Sequence, residues 1–207
     1  QHLNIFKNTK NLFWACVVMK LYSEEKNKKF KKKLEIDHST QKKKILYMTN
    51  STKIMKEMIK CITKKKNITI KKNKKISHIT QSNFLNSIKF AENNSSYYNL
   101  IIMCTGSNSH LSKKISKNND LQYSYNEASF TTIIQHEPIN NNIVRQIFLD
   151  NEIFALLPIS KNKTSIVLTV KKKIIDTYKE KKQFLLKKNI INYSKNFFKR
   201  VKLVSKI

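Results

Sequence analysis

Gly106 is the single glycine in a chain of 207 residues. Average usage near 7% would supply about fourteen. Glycine is the residue that lets a backbone turn close against a phosphate, so a Gly-x-Gly-x-x-Gly dinucleotide loop is excluded within these residues. The chain is therefore not, by itself, a complete nucleotide-binding enzyme. It begins at Gln1 rather than Met, and its tail stops at Ile207 with no closing cap or loop. The expectation is a piece of a longer domain, missing residues at both ends.

Charge is the second constraint. Lys+Arg number 42 and Asp+Glu 13, a formal +29, yet only Arg145 and Arg200 are arginine. Readers of nucleic acid favour arginine for its bidentate fork. The lysine runs at 31–33, 42–44, 64–66, 71–75 and 171–173 carry no interleaved aromatics or arginines. Solvated turns and helix faces in a lysine-biased chain explain them better than a polyanion footprint, and no specific nucleic-acid partner is expected. Weak attraction to an anionic membrane face needs only net charge and survives. Apolar residues make up 40% and aromatics 10%, which suffices for a packed core. No apolar run of about 18 residues and no secretion signal occur. Cys16, Cys61 and Cys104 are odd in number and far apart, as in a reduced chain without a disulfide framework. The five histidines do not cluster, so no metal site is expected.

Along the chain, the apolar patch from Phe13 to Met19 predicts a strand or two, and residues 23–45 a polar loop or exposed hairpin. Residues 51–63 predict a helix capped by Ser51, with Ile54, Met55, Met58, Ile59 and Ile62 as its core stripe. Ile68 and Ile70 alternate as in a half-buried strand, and another strand is expected around Phe84–Phe90. Leu100 to Cys104 is continuously apolar, the signature of a strand buried on both faces, and it runs into Gly106. A strand, a small-residue turn and a helix start can face a phosphate, although such a turn is more often structural. From Tyr123 to Val170 apolar and polar residues alternate between short turns, predicting an antiparallel meander, followed by a helix over 171–189 with Ile174, Ile175, Tyr178, Leu185 and Leu186 inward.

Three stretches carry a resemblance. Leu46-Tyr47-Met48-Thr49-Asn50, the helix after it and Asn67-Ile68-Thr69-Ile70 match a Leu-Gly-Tyr-x-x-x-Asn, helix, Asn-Val-x-Leu pattern, one residue short and without its glycine. Tyr98 to Ser109 matches Tyr-Asp-Leu-x-Ile-x-Ala-Asp-Gly-x-x-Ser. His136-Glu137, Phe148 and Ala155-Leu156-Leu157-Pro158-Ile159 match a region with His-Glu, Phe and Ala-Leu-Leu-Pro-Leu. Together they resemble the middle of a flavin-dependent aromatic hydroxylase of the ubiquinone-biosynthesis family, with the architecture of p-hydroxybenzoate hydroxylase.

The resemblance implies an α+β fold: an antiparallel substrate-domain sheet plus part of a Rossmann-like FAD domain. It divides the chain into a mixed segment at 1–95, an FAD-domain strand and turn at 96–118, substrate-domain sheet and helix at 119–189, and an incomplete return at 190–207. It implies FAD as cofactor, NAD(P)H as reductant, and hydroxylation of a polyprenylated phenol. Thr105, Gly106, Ser107, Asn108 and Ser109 would face the cofactor pyrophosphate, with Thr105 where the family has its acid and Lys113 near the family's arginine. Ile134, His136, Ala155 and Leu157 would face the substrate pocket, although plain core positions explain each as well. The resemblance names no catalytic base. It further implies a cytoplasmic protein, peripheral at the inner membrane face, beside other ubiquinone-biosynthesis enzymes. Two other readings stay open: a degenerate relative that has lost flavin, and a basic module for nucleic acid or membrane.

Overall fold

The computed structural model describes residues 12–25, 30–40, 44–82, 84–92, 94–106, 109–111, 123–172, 175 and 183–205. The chain divides into two compact units, one of residues 1–61 with 124–207 and one of 62–123.

The first unit is built on a seven-stranded sheet in the order β12-β8-β11-β10-β9-β2-β3. Its strands are β2 (Val18–Glu24), β3 (Phe30–Asp37), β8 (Glu127–Gln135), β9 (Ile143–Phe148), β10 (Glu152–Ser160), β11 (Lys163–Lys171) and β12 (Lys202–Leu203). Every neighbouring pair is antiparallel except β2 with β9, which is parallel. The expected meander is present from β9 to β11. The first strand departs from it: β8 pairs with β11 rather than with its sequence neighbour β9. The segment expected as loop or hairpin at 23–45 contributes β3, which closes a hairpin with β2 at the sheet edge. Lysines at 31–33 suit that edge, since charge discourages pairing with a second chain.

Strand alternation gives the sheet two faces. Ile134, Thr164 and Pro158 lie in register on one of them, and Leu156, paired with Ile166, shares that face. That face is sealed by α2 (Gln183–Lys195), whose Leu186 and Ile190 are buried a turn apart. Leu185, expected inward, points to solvent. Phe154, Ile147, Ile166, Leu168, Val170 and Phe198 complete this core. Each fully buried aliphatic side chain contributes roughly 1.5–3 kcal/mol, so the α2 contact is the main reason the sheet has one dry face. Ile174 and Tyr178 fall outside the described residues.

On the opposite face lie a two-stranded ribbon, β1 (Phe13–Cys16) with β4 (Leu46–Thr49), and the first turn of α1 (Ser51–Thr63). The helix has the expected bounds, but its cap is Asn50: the Asn50 Oδ1 accepts from the Lys53 N–H at 3.2 Å. The expected core stripe is corrected. Ile54 and Ile62 are half-buried, while Met55, Met58 and Ile59 are exposed, Met55 by 59%.

The second unit holds a three-stranded antiparallel sheet, β5 (Ile76–Thr80), β6 (Asn86–Phe90) and β7 (Ser95–Tyr98). None of its described residues is buried. Two expectations fail here. Ile68 and Ile70 are exposed and form no strand. Leu100 to Cys104 is not a buried strand: it is unpaired, with Leu100 exposed by 73% and Ile102 by 76%. A continuous apolar run needs a strand on each side and a layer on each face, and no described residue of this unit supplies them.

No helix among the described residues is long and apolar enough to cross a membrane. Among the same residues no group of three His, Cys, Asp or Glu side chains could hold a metal.

Candidate functional site

The sheet face opposite α2 opens into a cleft of about 970 Å³. Its apolar lining comes from three places: Phe13 and Trp14 on β1, Met48 on β4, and Ile133 and Ile159 on the sheet. Hydroxyls rim it, notably Ser51, Thr131 and Ser165, and two lysines reach it, Lys53 from the first turn of α1 and Lys163 from the start of β11. Among the described residues no Asp or Glu lines it.

Local bonds fix the cleft's walls. The Trp14 indole Nε1–H donates to the Asn141 carbonyl at 2.6 Å, tying β1 to the turn before β9. The Thr49 hydroxyl donates to the Leu12 carbonyl at 2.8 Å. The Ser205 hydroxyl oxygen accepts from the Ile133 N–H at 2.8 Å, holding the tail along β8.

The four residues expected to face a pocket do not share a face. Ala155 and Leu157 lie on the open face, in register with Val167 and Ser165, although neither lines the cleft itself. Ile134 and His136 lie on the sealed face and are buried. His136 stacks on Phe198, ring centroids 4.1 Å apart. Its Nδ1–H donates to the Glu137 carbonyl at 2.7 Å, which leaves Nε2 to accept from the Thr164 hydroxyl at 3.0 Å. Burial pushes the imidazole below its ordinary pKa, the Arg145 charge adds to this, and the Glu137 carbonyl opposes it. His136 is thus a neutral, satisfied core group, turned away from the cleft.

Asn141 completes that network. Its Nδ2 donates to the Ser160 carbonyl at 2.8 Å, the Lys163 carbonyl at 3.1 Å and the Thr164 hydroxyl at 3.0 Å. Arg145, on the same side, lies over the rings of Phe197 and Phe198 at 5.4 and 5.5 Å. Cys16 supplies no nucleophile: burial pushes its thiol up to about 11, so it stays protonated.

The turn expected to meet a cofactor lies in the second unit. Gly106 has φ +79°, a left-handed conformation that favours glycine, and a Cβ there would meet nothing within 4 Å. The Ser109 N–H donates to the Gly106 carbonyl at 3.3 Å, and the Ser109 hydroxyl oxygen accepts from the Leu111 N–H at 3.2 Å. Ser107, Asn108 and Lys113 fall outside the described residues. Thr105 is exposed, no carboxylate stands at its position, and no paired strand leads into the turn. Alone, these residues do not make a site that fits a flavin dinucleotide.

The residues that sequence reasoning missed are those of the cleft wall: Trp14, Met48, Ile133, Lys163 and Ser165. Their signal was the register of β11, which sets Ser165 against both Leu157 and Ile133. That register is tertiary information.

No protein-family model matches the chain, and no curated protein matches it in sequence. Solved structures match it in fold. A variant of P. aeruginosa PqsL superposes with a TM-score of 0.71 at 8% identity, over 95% of this chain and 56% of that one. CmlS, a flavin-dependent halogenase, gives 0.71 at 10% identity, over 99% of this chain and 39% of that one. The 2,6-dihydroxypyridine-3-hydroxylase from Arthrobacter nicotinovorans gives 0.59 at 9% identity, over 82% and 44%. The chain thus spans about half the length, or less, of each of these proteins. The chain, mostly sheet with two helices among its described residues, shares its fold with part of each of them.

Proposed function

We propose that this chain is the ring-binding part of an FAD-dependent monooxygenase that hydroxylates a polyprenylated phenol in ubiquinone biosynthesis. The observation that carries the reading is the asymmetry of the sheet. One face is sealed by α2, and the other opens into a cleft whose lining mixes apolar side chains, Trp14 among them, with hydroxyls and two lysines. A flavin-dependent halogenase and a dihydroxypyridine hydroxylase share the fold, which favours a ring as ligand over a nucleic acid. The three stretches of family resemblance point the same way. In this reading FAD would supply the oxygen chemistry and NAD(P)H the reducing electrons, at contacts that the described residues of this chain do not by themselves provide. The part assigned to this chain is to hold the ring on the open face and exclude water from it. A cytoplasmic protein that touches the membrane face through its lysines, beside other enzymes of the same synthesis, belongs to this reading.

Equilibrium dialysis of a farnesyl-phenol tests it. Saturable binding should be lost in Ile133→Asp, which places a carboxylate in the lining, and kept in Met55→Asp on the exposed face of α1. No saturable binding, or equal loss in both variants, would refute the reading. A second reading, a relative that has lost flavin, is favoured by Thr105 and by the unpaired Leu100–Cys104 run.

A further inference from the structure

The cleft has a wall that differs from its floor. The floor is the sheet itself, with Ile133 on β8 and Ile159 on β10. The wall is the β1–β4 ribbon, in which Trp14 stands opposite Met48. Cross-strand partners share a face of their ribbon, and both of these line the cleft. Tyr47 is the neighbour of Met48 on β4 and therefore points the other way. It is exposed there, its ring 6.0 Å from that of Phe13 and nearly edge-on. One turn holds the wall in place. The Trp14 indole Nε1–H donates to the Asn141 carbonyl at 2.6 Å, and the Val17 N–H to the Asn142 carbonyl at 3.0 Å. The Asn141 amide in turn donates to the carbonyls of Ser160 and Lys163, two residues of the cleft's rim. Wall and floor are thus joined through the same two asparagines. Rotating the indole would break its bond to Asn141, so Trp14 is a fixed aromatic surface rather than a loose one.

We propose that Trp14, held by the Asn141 carbonyl, is the residue that makes the cleft select a flat aromatic ring over a puckered ring of the same size. This rests on the ring-binding reading above and narrows it from a general apolar fit to one side chain. A flat ring gains from an aromatic neighbour by offset or edge-on packing of the two π systems. A saturated ring of similar hydrophobicity gains only from the area it buries. The difference is greatest when the neighbour is already in place, since ordering a mobile side chain on binding offsets part of the gain. The bond to Asn141 supplies that preorganisation, and the ribbon's register aims it at the cleft.

Equilibrium dialysis of two probes tests this: farnesyl-phenol and farnesyl-cyclohexanol, which share a tail and a hydroxyl and differ in the ring. The wild-type chain should bind the phenol about fivefold more tightly, the size of one aromatic pair. Trp14→Leu should bind both probes without preference. Trp14→Phe keeps a ring in the wall but loses the N–H, so its preference should fall to about twofold or less. Tyr47→Leu, on the ribbon's outer face, should keep the full preference. Circular dichroism checks that each variant folds, and Trp14→Phe decides should Trp14→Leu not fold. Equal binding of the two probes by the wild-type chain would overturn the proposal and leave the ring-binding reading standing. A preference kept in full in either Trp14 variant would do the same. So would an equal loss in Tyr47→Leu, since a disturbed ribbon would then be the cause. No saturable binding of farnesyl-phenol would overturn both.

Discussion

Asn141 is the polar residue on which the sheet's sealed face most depends. It is 1% exposed, and its amide nitrogen serves three acceptors: the carbonyls of Ser160 and Lys163 and the Thr164 hydroxyl. Its Oδ1 is buried without a partner, so truncating the side chain forfeits nothing on that atom. The loss falls on the acceptors. An unsatisfied buried acceptor costs about 1–3 kcal/mol, and water entering the vacated space recovers part of it, so Asn141→Ala should destabilise the fold by about 2–4 kcal/mol. Asn141→Asp keeps the shape but turns an oxygen, charged at neutral pH, toward two carbonyls. A buried charge without a partner costs about 3–5 kcal/mol, so this variant should be the worse of the two. Its carboxyl would be held above the usual range in the fold and near 3.9 in the unfolded chain. The folded state would then bind the extra proton, so the penalty is smallest in acid and grows as pH rises through the folded value. Urea unfolding followed by Trp14 emission reads both variants. The Trp14 bond goes to the Asn141 backbone carbonyl, which neither substitution removes. Asn141→Ala within about 0.5 kcal/mol of the parent, or Asn141→Asp more stable than Asn141→Ala at neutral pH, would refute this account.

His136 has a pKa lowered by burial and by Arg145, so between its folded value and about 6.5 the unfolded chain binds the extra proton. Its contribution is complete above about 6.5 and is lost as pH falls below it; a stability–pH slope in that window equal to that of His136→Gln would count against the network. Phe154, 0% exposed and edge-on to Tyr193 at 5.3 Å, should cost about 3–5 kcal/mol on Phe154→Ala, a large share of a typical 5–15, with a loss below 1 kcal/mol by urea titration as the refuting result. The purified chain should bind little flavin, because the Thr105–Gly106 turn has neither a supporting strand nor a carboxylate. Visible flavin absorbance at near-stoichiometric occupancy would contradict that.

Local signals in this sequence read well where local physics decides. The helix from Ser51 to Thr63 followed from its apolar spacing alone. Its cap moved one residue to Asn50 because Ser and Asn are almost equal as caps, and only the Lys53 N–H chooses between them. The alternation from Ala128 to Val170 gave the four strands β8–β11. What alternation could not give was their order, since pairing β8 with β11 depends on contacts some forty residues apart. The run from Leu100 to Cys104 misled for the opposite reason. Its apolarity is real, but a strand is buried by its neighbours, and no described residue of the second unit packs around it.

The same limit explains the site. Alternation within a strand says that Ile134 and Ile133 point opposite ways, without saying which of them faces the cleft. The choice is made by α2, because Leu186 and Ile190 seal whichever face they meet. That face contains Ile134, Thr164 and Pro158, so Leu157, Ser165 and Ile133 are left on the other. Once the sealed face is known, three consequences follow together. His136 becomes a core group kept neutral by burial and by Arg145, with Thr164 and the Glu137 carbonyl as its hydrogen-bond partners. Trp14 becomes cleft lining rather than buried core. Lys163, from the same alternation that turns Thr164 inward, is left on the cleft side. A substitution that unseats α2 should therefore blur both faces at once. Ile190→Asp should expose the apolar core and slacken the cleft, so farnesyl-phenol binding and stability would fall together, whereas Ile133→Asp, on the half-buried cleft side, should lower the first far more than the second.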